Sequence, residues 1–341
     1  GDFKIRERKT MKKNVFISIL LVSLLAVLAA CGSSSASTAD GERTITLGYF
    51  PNINHVPAMV AKAEGFYQAQ LGDGVTIEYK TFPDGSSFMT ALKTGEIEAG
   101  LVGPGPAMNH YTTGTDVKII AGGSTGGTVV LARDGSGIET VEDIDGKTFI
   151  TPRVGCTHDV QFETYMKEAG ITSTRTDGSM SQTTGQPAQY QALFESGEID
   201  IAVAPEPWAS VLQQEAGARV IIGSDEISFG QTLPASVLVT SGDMVEQDAE
   251  MIQQIVDAHK EAIAFINENP EEAKEITITD IKEETGQELS KEVIDGAWEN
   301  IDFTYKVNED EVQAFGDSSF DLKLLKKQPD FTDLIDTQFI D

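Results

Sequence analysis

The chain has 341 residues, with 25 Lys/Arg against 54 Asp/Glu and a formal net charge of −29. So negative a balance excludes nucleic acid and anionic lipid headgroups as binding partners, because both would be repelled. About 300 residues of fold-forming sequence is more than a single core usually holds and predicts two domains.

Residues 1–30 read as a leader. Ten residues containing Lys4, Arg6, Arg8 and Lys9 precede Met11-Lys12-Lys13 and read as a misplaced start or an added remnant. An apolar run then extends from Val15 to Ala30 and ends at Cys31. A charged start, a short apolar segment and small residues before a cleavage point describe a secretory signal, too short for a spanning helix. The end of the run, LAAC (Leu28 to Cys31), resembles the bacterial lipobox, which implies that Cys31 is lipidated. Residues 31–43, rich in Ser, Gly and Ala, read as a flexible tether. The expectation is therefore an extracytoplasmic protein tied to the cell membrane by a lipid. Residues 1–30 hold six Lys/Arg and two Asp/Glu, so their removal takes the net charge to −33. With Cys31 committed to lipid, Cys156 has no disulfide partner.

From Thr44 strands and helices alternate. TITLGYF (Thr44–Phe50) reads as a strand and PAMVAKAEGFY (Pro57–Tyr67) as a helix with proline in its first turn. VTIEYKTF, SSFMTALKTG, IEAGLVG, PAMNHYTTG and VKIIAGG continue the alternation to Gly123. TVVLARD (Thr128–Asp134) restarts it, and THDVQFETYMKEAG, AQYQALFESGEID and IAVAPEPWASVLQQEAG carry it on. SVLVTSGD (Ser236–Asp243) is a last strand, and one long amphipathic helix then runs to Pro270 ahead of a helical, acidic tail. This spacing indicates βαβ units around largely parallel sheets. ALKTGEIEAGLVG and ALFESGEIDIAVA repeat one helix–strand pattern, which suggests two similar lobes. The expected division is 44–126 with 241–341 as the first lobe and 127–240 as the second.

LGYFPNINHVPAMVAKAEGFY, the paired ALxxGEI(D/E) segments, VEDIDGKTFITPRVG and APEPWAS together resemble solute-binding lipoproteins of bacterial ABC importers. The group is that of the aliphatic-sulfonate, taurine and nitrate binders, which is similar to the binders of thiamin-pyrimidine precursors. The resemblance runs from Thr44 to about Pro270. It implies an α/β, two-lobed periplasmic-binding-protein fold (type II) with two crossover strands and a ligand in the interlobe cleft. It also implies an ABC permease and its ATPase as partners. The expected chain is a monomer without a cofactor.

In open α/β sheets ligands sit beyond the carboxyl ends of the strands, where helix N-termini present free N–H groups. The loops at those ends supply the candidate ligand-binding residues. They are Asn54 and His55, Ser86 and Ser87, Gly103 and Pro104, and Ser124 and Thr125 in the first lobe. In the second they are Cys156, Thr157, His158 and Asp159, with Glu206 and Trp208. His55, His110 and His158 fall in or beside these loops, whereas His259 falls in the long helix, expected to be exposed.

Three chemistries compete. Thiol catalysis is disfavoured, because residues two apart at a helix start do not face each other and no Cys–His–Asn signature surrounds Cys156. A metal such as zinc would find suitable ligand types in His55, His110, Cys156, His158 and Glu206, but no HxH, HxxxH or CxxC spacing is present. Capture of a small solute leads. Thr157 is expected to cap its helix, and Ser86 and Ser87 to start the facing one, so that two helix N-termini close on one oxyanion. Arg153 is the one arginine in these loops. Glu206 is expected either to cap its own helix or to point into the cleft, where it would favour a ligand carrying an amine or ring N–H. Trp208 offers a wall or a packing face. The expected function is capture of a small organic anion or zwitterion, sulfonate- or taurine-like, for delivery to a permease. A thiamin-pyrimidine precursor and a transition metal are the alternative ligands. An enzyme similar to pyrimidine synthases, which use a histidine and a lysine-bound cofactor, is disfavoured by the leader and by the lack of lysine in these loops.

Overall fold

The structure, a computed structural model, describes residues 42–341. Its strands are β1 (Arg43–Tyr49), β2 (Val75–Thr81), β3 (Ala99–Val102), β4 (Lys118–Gly126), β5 (Thr128–Ala132), β6 (Thr148–Thr151), β7 (Ser181–Thr184), β8 (Ile201–Pro205), β9 (Arg219–Ile222), β10 (Pro234–Thr240) and β11 (Ile301–Phe303). Its helices are α1 (Val56–Ala63), α2 (Phe66–Leu71), α3 (Gly85–Thr94), α4 (Pro104–Thr112), α5 (Thr157–Glu168), α6 (Tyr190–Glu195), α7 (Trp208–Glu215), α8 (Gly242–Gln247), α9 (Ala249–Glu268), α10 (Pro270–Thr285), α11 (Lys291–Trp298) and α12 (Glu309–Asp321). The leader, the tether and Cys31 lie outside the described residues.

Two sheets result. The first has the order β11-β4-β10-β3-β1-β2 and the second β7-β6-β8-β5-β9. In the first, β1 and β3 are parallel while β10 runs antiparallel to β3 and β4. In the second, β6 is parallel to β7 and β8, while β5 is antiparallel to β8 and β9. The reversed central strand of each sheet is thus the first one reached after the chain crosses from the other. Strands β3, β5, β8 and β10 are buried along their whole length, as strands covered by helices on both faces must be. The repeated pattern lands on equivalent units: α3 leads through left-handed Gly95 to β3, and α6 through left-handed Gly197 to β8.

The first crossing is the turn Gly126-Gly127, where both residues have φ +87°. A side chain at Gly126 would also meet the Asn300 carbonyl oxygen at 2.2 Å, so only glycine fits there. The return crossing lies between Ile222 and Pro234. This moves one expected boundary: residues up to 240 were assigned to the second lobe, yet β10 is a central strand of the first sheet. Its run of apolar residues carries no mark of which sheet it joins.

Helix α9 shows how the first sheet is covered. Met251, Ile252, Ile255, Val256, Ala262, Ile263 and Ile266 recur at helical spacing and are all buried, and the Asp248 side chain caps the start by accepting from Met251 N–H at 3.1 Å. Each such aliphatic side chain contributes roughly 1.5–3 kcal/mol on burial. His259 sits on the same face. It is fully buried, with Nε2 2.7 Å from the Gly122 carbonyl oxygen, so it is a core residue of the helix–sheet contact and not an exposed one.

Candidate functional site

A cavity of about 480 Å³ opens where the carboxyl ends of strands from both sheets face each other. Its lining includes Asn54, His55, Gly103, Cys156, Thr157, His158 and Trp208 from the expected set. Among the described residues no Lys or Arg side chain lines it.

The first wall is the turn after β1. Asn52 caps it by accepting from Asn54 N–H at 3.0 Å, and Ile53 N–H donates to the Glu206 carbonyl at 2.9 Å, joining the ends of β1 and β8. Ser236 donates its hydroxyl to the Asn54 carbonyl at 2.7 Å, and the Ser124 hydroxyl, 3.1 Å from that carbonyl, makes its shorter bond of 2.7 Å to the Asn54 Oδ1. That fixes the amide, so Asn54 offers its –NH2 as a donor on the cavity wall. His55 is fixed just as firmly. Its Nδ1 accepts from Phe50 N–H at 3.3 Å, so the neutral ring carries its proton on Nε2. Burial, with His158 adding to it, pushes its pKa down to about 3.

The second wall is the start of α5. Thr128 Oγ1 donates to Gln161 Oε1 at 2.7 Å and lies 2.7 Å from His158 Nδ1. With its one proton used on Gln161, the hydroxyl accepts from His158 Nδ1–H, which leaves His158 Nε2 with a lone pair. Burial lowers this imidazole to about 4, so it too is neutral. Thr157 does not cap its helix as expected. Cys156 holds the cap position, and Thr157 Oγ1 instead accepts Gly105 N–H at 3.1 Å from the start of α4 in the first lobe. The approach is close enough that a side chain at Gly105 would meet Thr157 N at 2.7 Å.

Several expected contacts turn away from the cavity. Asp159 is fully buried behind α5, where Oδ2 accepts Gly155 N–H at 2.7 Å. Burial and the neighbouring Glu163 raise its pKa well above its ordinary value. Glu206 is also buried and is a cap: its carboxylate accepts from Ser210 N–H and Oγ, both at 3.0 Å, and from Asn300 Nδ2 at 2.9 Å. The case for a ligand amine based on Glu206 therefore falls. Ser87 is bound to Asp84, whose carboxylate caps α3 at 2.9 Å from Ser87 N–H, so that helix start already holds an anion. Ser124 supports Asn54 from behind, and Thr125 and Pro104 are not on the lining.

Ser86, His110 and Arg153 line a separate cavity of about 190 Å³, with Ser86 Oγ 3.3 Å from His110 Nε2. Burial, with Lys93 and Arg153, lowers the His110 pKa. Arg153 reaches back across the cleft to Asp84, 3.3 Å away. Cys156 lies between the two cavities. Burial, with the Asp159 charge adding to it, pushes its thiol up to about 12, against the lowering influence of the Asp159, Arg153 and His158 backbone N–H groups. It is a thiol and not a nucleophilic thiolate.

The five expected metal ligands do not converge. Glu206 caps a helix, His110 lines the other cavity, and the His55 ring nitrogen on the cavity side carries a proton. Among the described residues no three His, Cys, Asp or Glu lie close enough together to hold a metal.

Other lining residues lie outside the expected set. Phe50 and Phe82 add aromatic surface, and Gln186, Pro187, Ala188 and Gln189 contribute from the loop after β7. That strand reads SQTT, without the apolar alternation of a strand, although Gly185-Gln186-Pro187 was available as a turn mark. Thr285 and Gln287 arrive from the acidic helical tail, where Gln287 Nε2 donates to the Ala188 carbonyl across the cleft.

Two α/β lobes crossed twice by one chain, with a small cavity held between their strand ends, define the architecture of the periplasmic binding proteins. Solved structures share it. An alkanesulfonate-binding protein from Xanthomonas axonopodis pv. citri, bound to MOPS, superposes with a TM-score of 0.73 at 17% identity, over 86% of this chain and 98% of that one. A zinc-bound ligand-binding component of an ABC-type import system from Staphylococcus aureus superposes with a TM-score of 0.72 at 18% identity, over 87% and 97%. In sequence, a protein of Bacillus subtilis (strain 168) assigned as an aliphatic sulfonates-binding protein is 24% identical over 338 residues, 97% of this chain and 96% of its own. The chain belongs to the NMT1-like family, whose sequence profile matches residues 38–279.

Proposed function

We propose that the protein is the extracytoplasmic solute-binding component of an ABC importer, which captures a small organic anion or zwitterion of the sulfonate or taurine kind between its lobes. The observation that carries this reading is the interlobe cavity, whose polar wall groups Asn54, His55 and His158 are each held by hydrogen bonds from the protein behind them. Such a wall is preorganised to bind, which supports a binding role for the protein. The relatives agree with a binding role. The lobes divide as 44–126 with 234–341, and 128–222, and their closure over solute presents the permease with a loaded form. Cys31 anchors the chain to the membrane, and no described helix is long and apolar enough to cross it.

A thermal-shift screen tests the reading with organic sulfonates, taurine, nitrate, pyrimidines and divalent metals. A bound ligand at a hundred times its Kd adds about 2.7 kcal/mol of stability. The expected result is a raised midpoint with an organic sulfonate or aminosulfonate. A shift with zinc alone, or with nothing in the panel, overturns it. Labelling by a radioactive fatty acid, lost in Cys31→Ala, checks the anchor.

A further inference from the structure

We infer that His55 and His158 present opposite hydrogen-bond polarity to the cavity, and that His158 selects ligands that carry an N–H donor beside their acceptor oxygens. This deepens the proposed solute-binding role and rests on it. The two imidazoles are chemically alike, and their difference comes from what stands behind each ring. A backbone N–H can only donate, so Phe50 N–H at 3.3 Å obliges His55 Nδ1 to accept and puts the His55 proton on the cavity side. Thr128 has a single hydroxyl proton, and the Gln161 carbonyl oxygen at 2.7 Å takes it. With the Gln161 amide oriented this way, the same oxygen accepts from His158 Nδ1 at 2.7 Å, which puts a bare lone pair on His158 Nε2. Neither Nε2 atom has a protein partner among the described hydrogen bonds, and both rings line the cavity. An occupant that leaves either unpaired incurs the cost of a desolvated polar group.

Among the described residues the lining adds a second donor, no lysine or arginine, and the acidic Asp84 and Glu284. Asn54 contributes its amide –NH2 on the His55 side. A plain oxyanion is satisfied by His55 and Asn54 but places its negative charge against the His158 lone pair. An aminosulfonate gives its oxygens to His55 and Asn54 and its ammonium to His158. A site built to pair a ligand N–H discriminates strongly against the analogue that lacks it, because the site's own polar group is then left unpaired.

Two ligands of equal chain length make the test: 2-aminoethanesulfonate, and ethanesulfonate, which lacks the N–H. Calorimetry on the wild-type protein is expected to give the amino compound a Kd lower by about tenfold or more, equivalent to about 1.4 kcal/mol. In His158→Ala that preference is expected to vanish, through weaker binding of the amino compound. In His55→Ala both ligands are expected to weaken together. Equal or tighter binding of ethanesulfonate to the wild type overturns the inference while leaving the solute-binding role intact. Failure of both sulfonates to bind overturns the sulfonate reading as well. The imidazole nitrogen shifts of the unliganded wild type, read by NMR near pH 7, test the tautomers without any variant. The expected protons are on Nε2 of His55 and Nδ1 of His158, and an Nε2 proton on His158 overturns the proposal.

Discussion

Asn54-His55 and His158-Asp159 are similar pairs in sequence, each a histidine beside a short polar residue at a strand-to-helix junction. The first pair turns both side chains to the cavity, whereas the second is split, with His158 on the wall and Asp159 fully buried behind it. The difference lies in the local backbone. Residues 53–55 form a short tight turn that Ser124 and Ser236 hold from behind. His158 and Asp159 already belong to the first turn of α5, where successive side chains point about 100° apart. A polar residue at a helix start becomes a site residue only when the phase of that helix aims it at the ligand. Otherwise it caps or packs.

This contrast can be broken most severely at Glu206, which is turned away from the cavity as Asp159 is. Glu206→Ala leaves Ser210 N–H, Ser210 Oγ and Asn300 Nδ2 without their acceptor. It is expected to cost about 3 kcal/mol of stability in urea denaturation, while any folded protein keeps its ligand affinity within about threefold. A loss of affinity larger than the loss of stability would return Glu206 to the cavity. Asp159→Ala is the next step down. It orphans Gly155 N–H and is expected to cost about 2 kcal/mol, again with little change in affinity.

The histidines sharpen the contrast through pH. His55, His158 and His259 are held near about 3, 4 and 4 by burial, well below an ordinary imidazole. Below about pH 6.5 the unfolded chain binds protons that the folded chain refuses, so their contribution is complete above that pH and is lost as pH falls toward 4. Each contributes up to about 1.4 kcal/mol per pH unit across that window. Asp159 and Glu206, whose folded pKa values are raised, work in the opposite direction. NMR titration separates the groups: no charge change is expected at these three rings above about pH 5. A ring that titrates near pH 6.5 is not buried as described. The smallest effect belongs to Ser86→Ala. Ser86 lines the smaller cavity, and its replacement is expected to change affinity for the main ligand by less than about twofold in calorimetry.

The strand–helix alternation, the restart at Thr128 and the repeated helix–strand unit were legible because each rests on local pattern. The sheet that claims β10 was not, since a fully buried apolar strand looks the same in either sheet. In the site, the residues that lie in loops proper, Asn54, His55 and Gly103, could be read directly. Asp159 misled because a carboxylate near a helix start packs or caps as readily as it meets a ligand, and Glu206 took the capping role that was one of its two expected ones. Ser87 did the same for a hydroxyl. Thr285 and Gln287 were out of reach, because the tail's approach to the cleft is set by tertiary packing. Among the described residues the cavity lining holds no lysine or arginine, the α3 start expected to bind an anion is taken by Asp84, and Thr157 accepts an N–H of α4 rather than capping α5. Recognition of an acceptor therefore falls to the fixed hydrogen-bonding groups Asn54 and His55, on a lining that also carries Asp84 and Glu284.

Calorimetry of the wild type and His55→Ala against a panel of organic sulfonates and aminosulfonates tests that conclusion most directly. The prediction is saturable one-to-one binding to the wild type, weakened about a hundredfold by a folded His55→Ala variant, equivalent to about 2.7 kcal/mol. Affinity that survives His55→Ala, or a wild type that takes only nitrate or only a divalent metal, contradicts it.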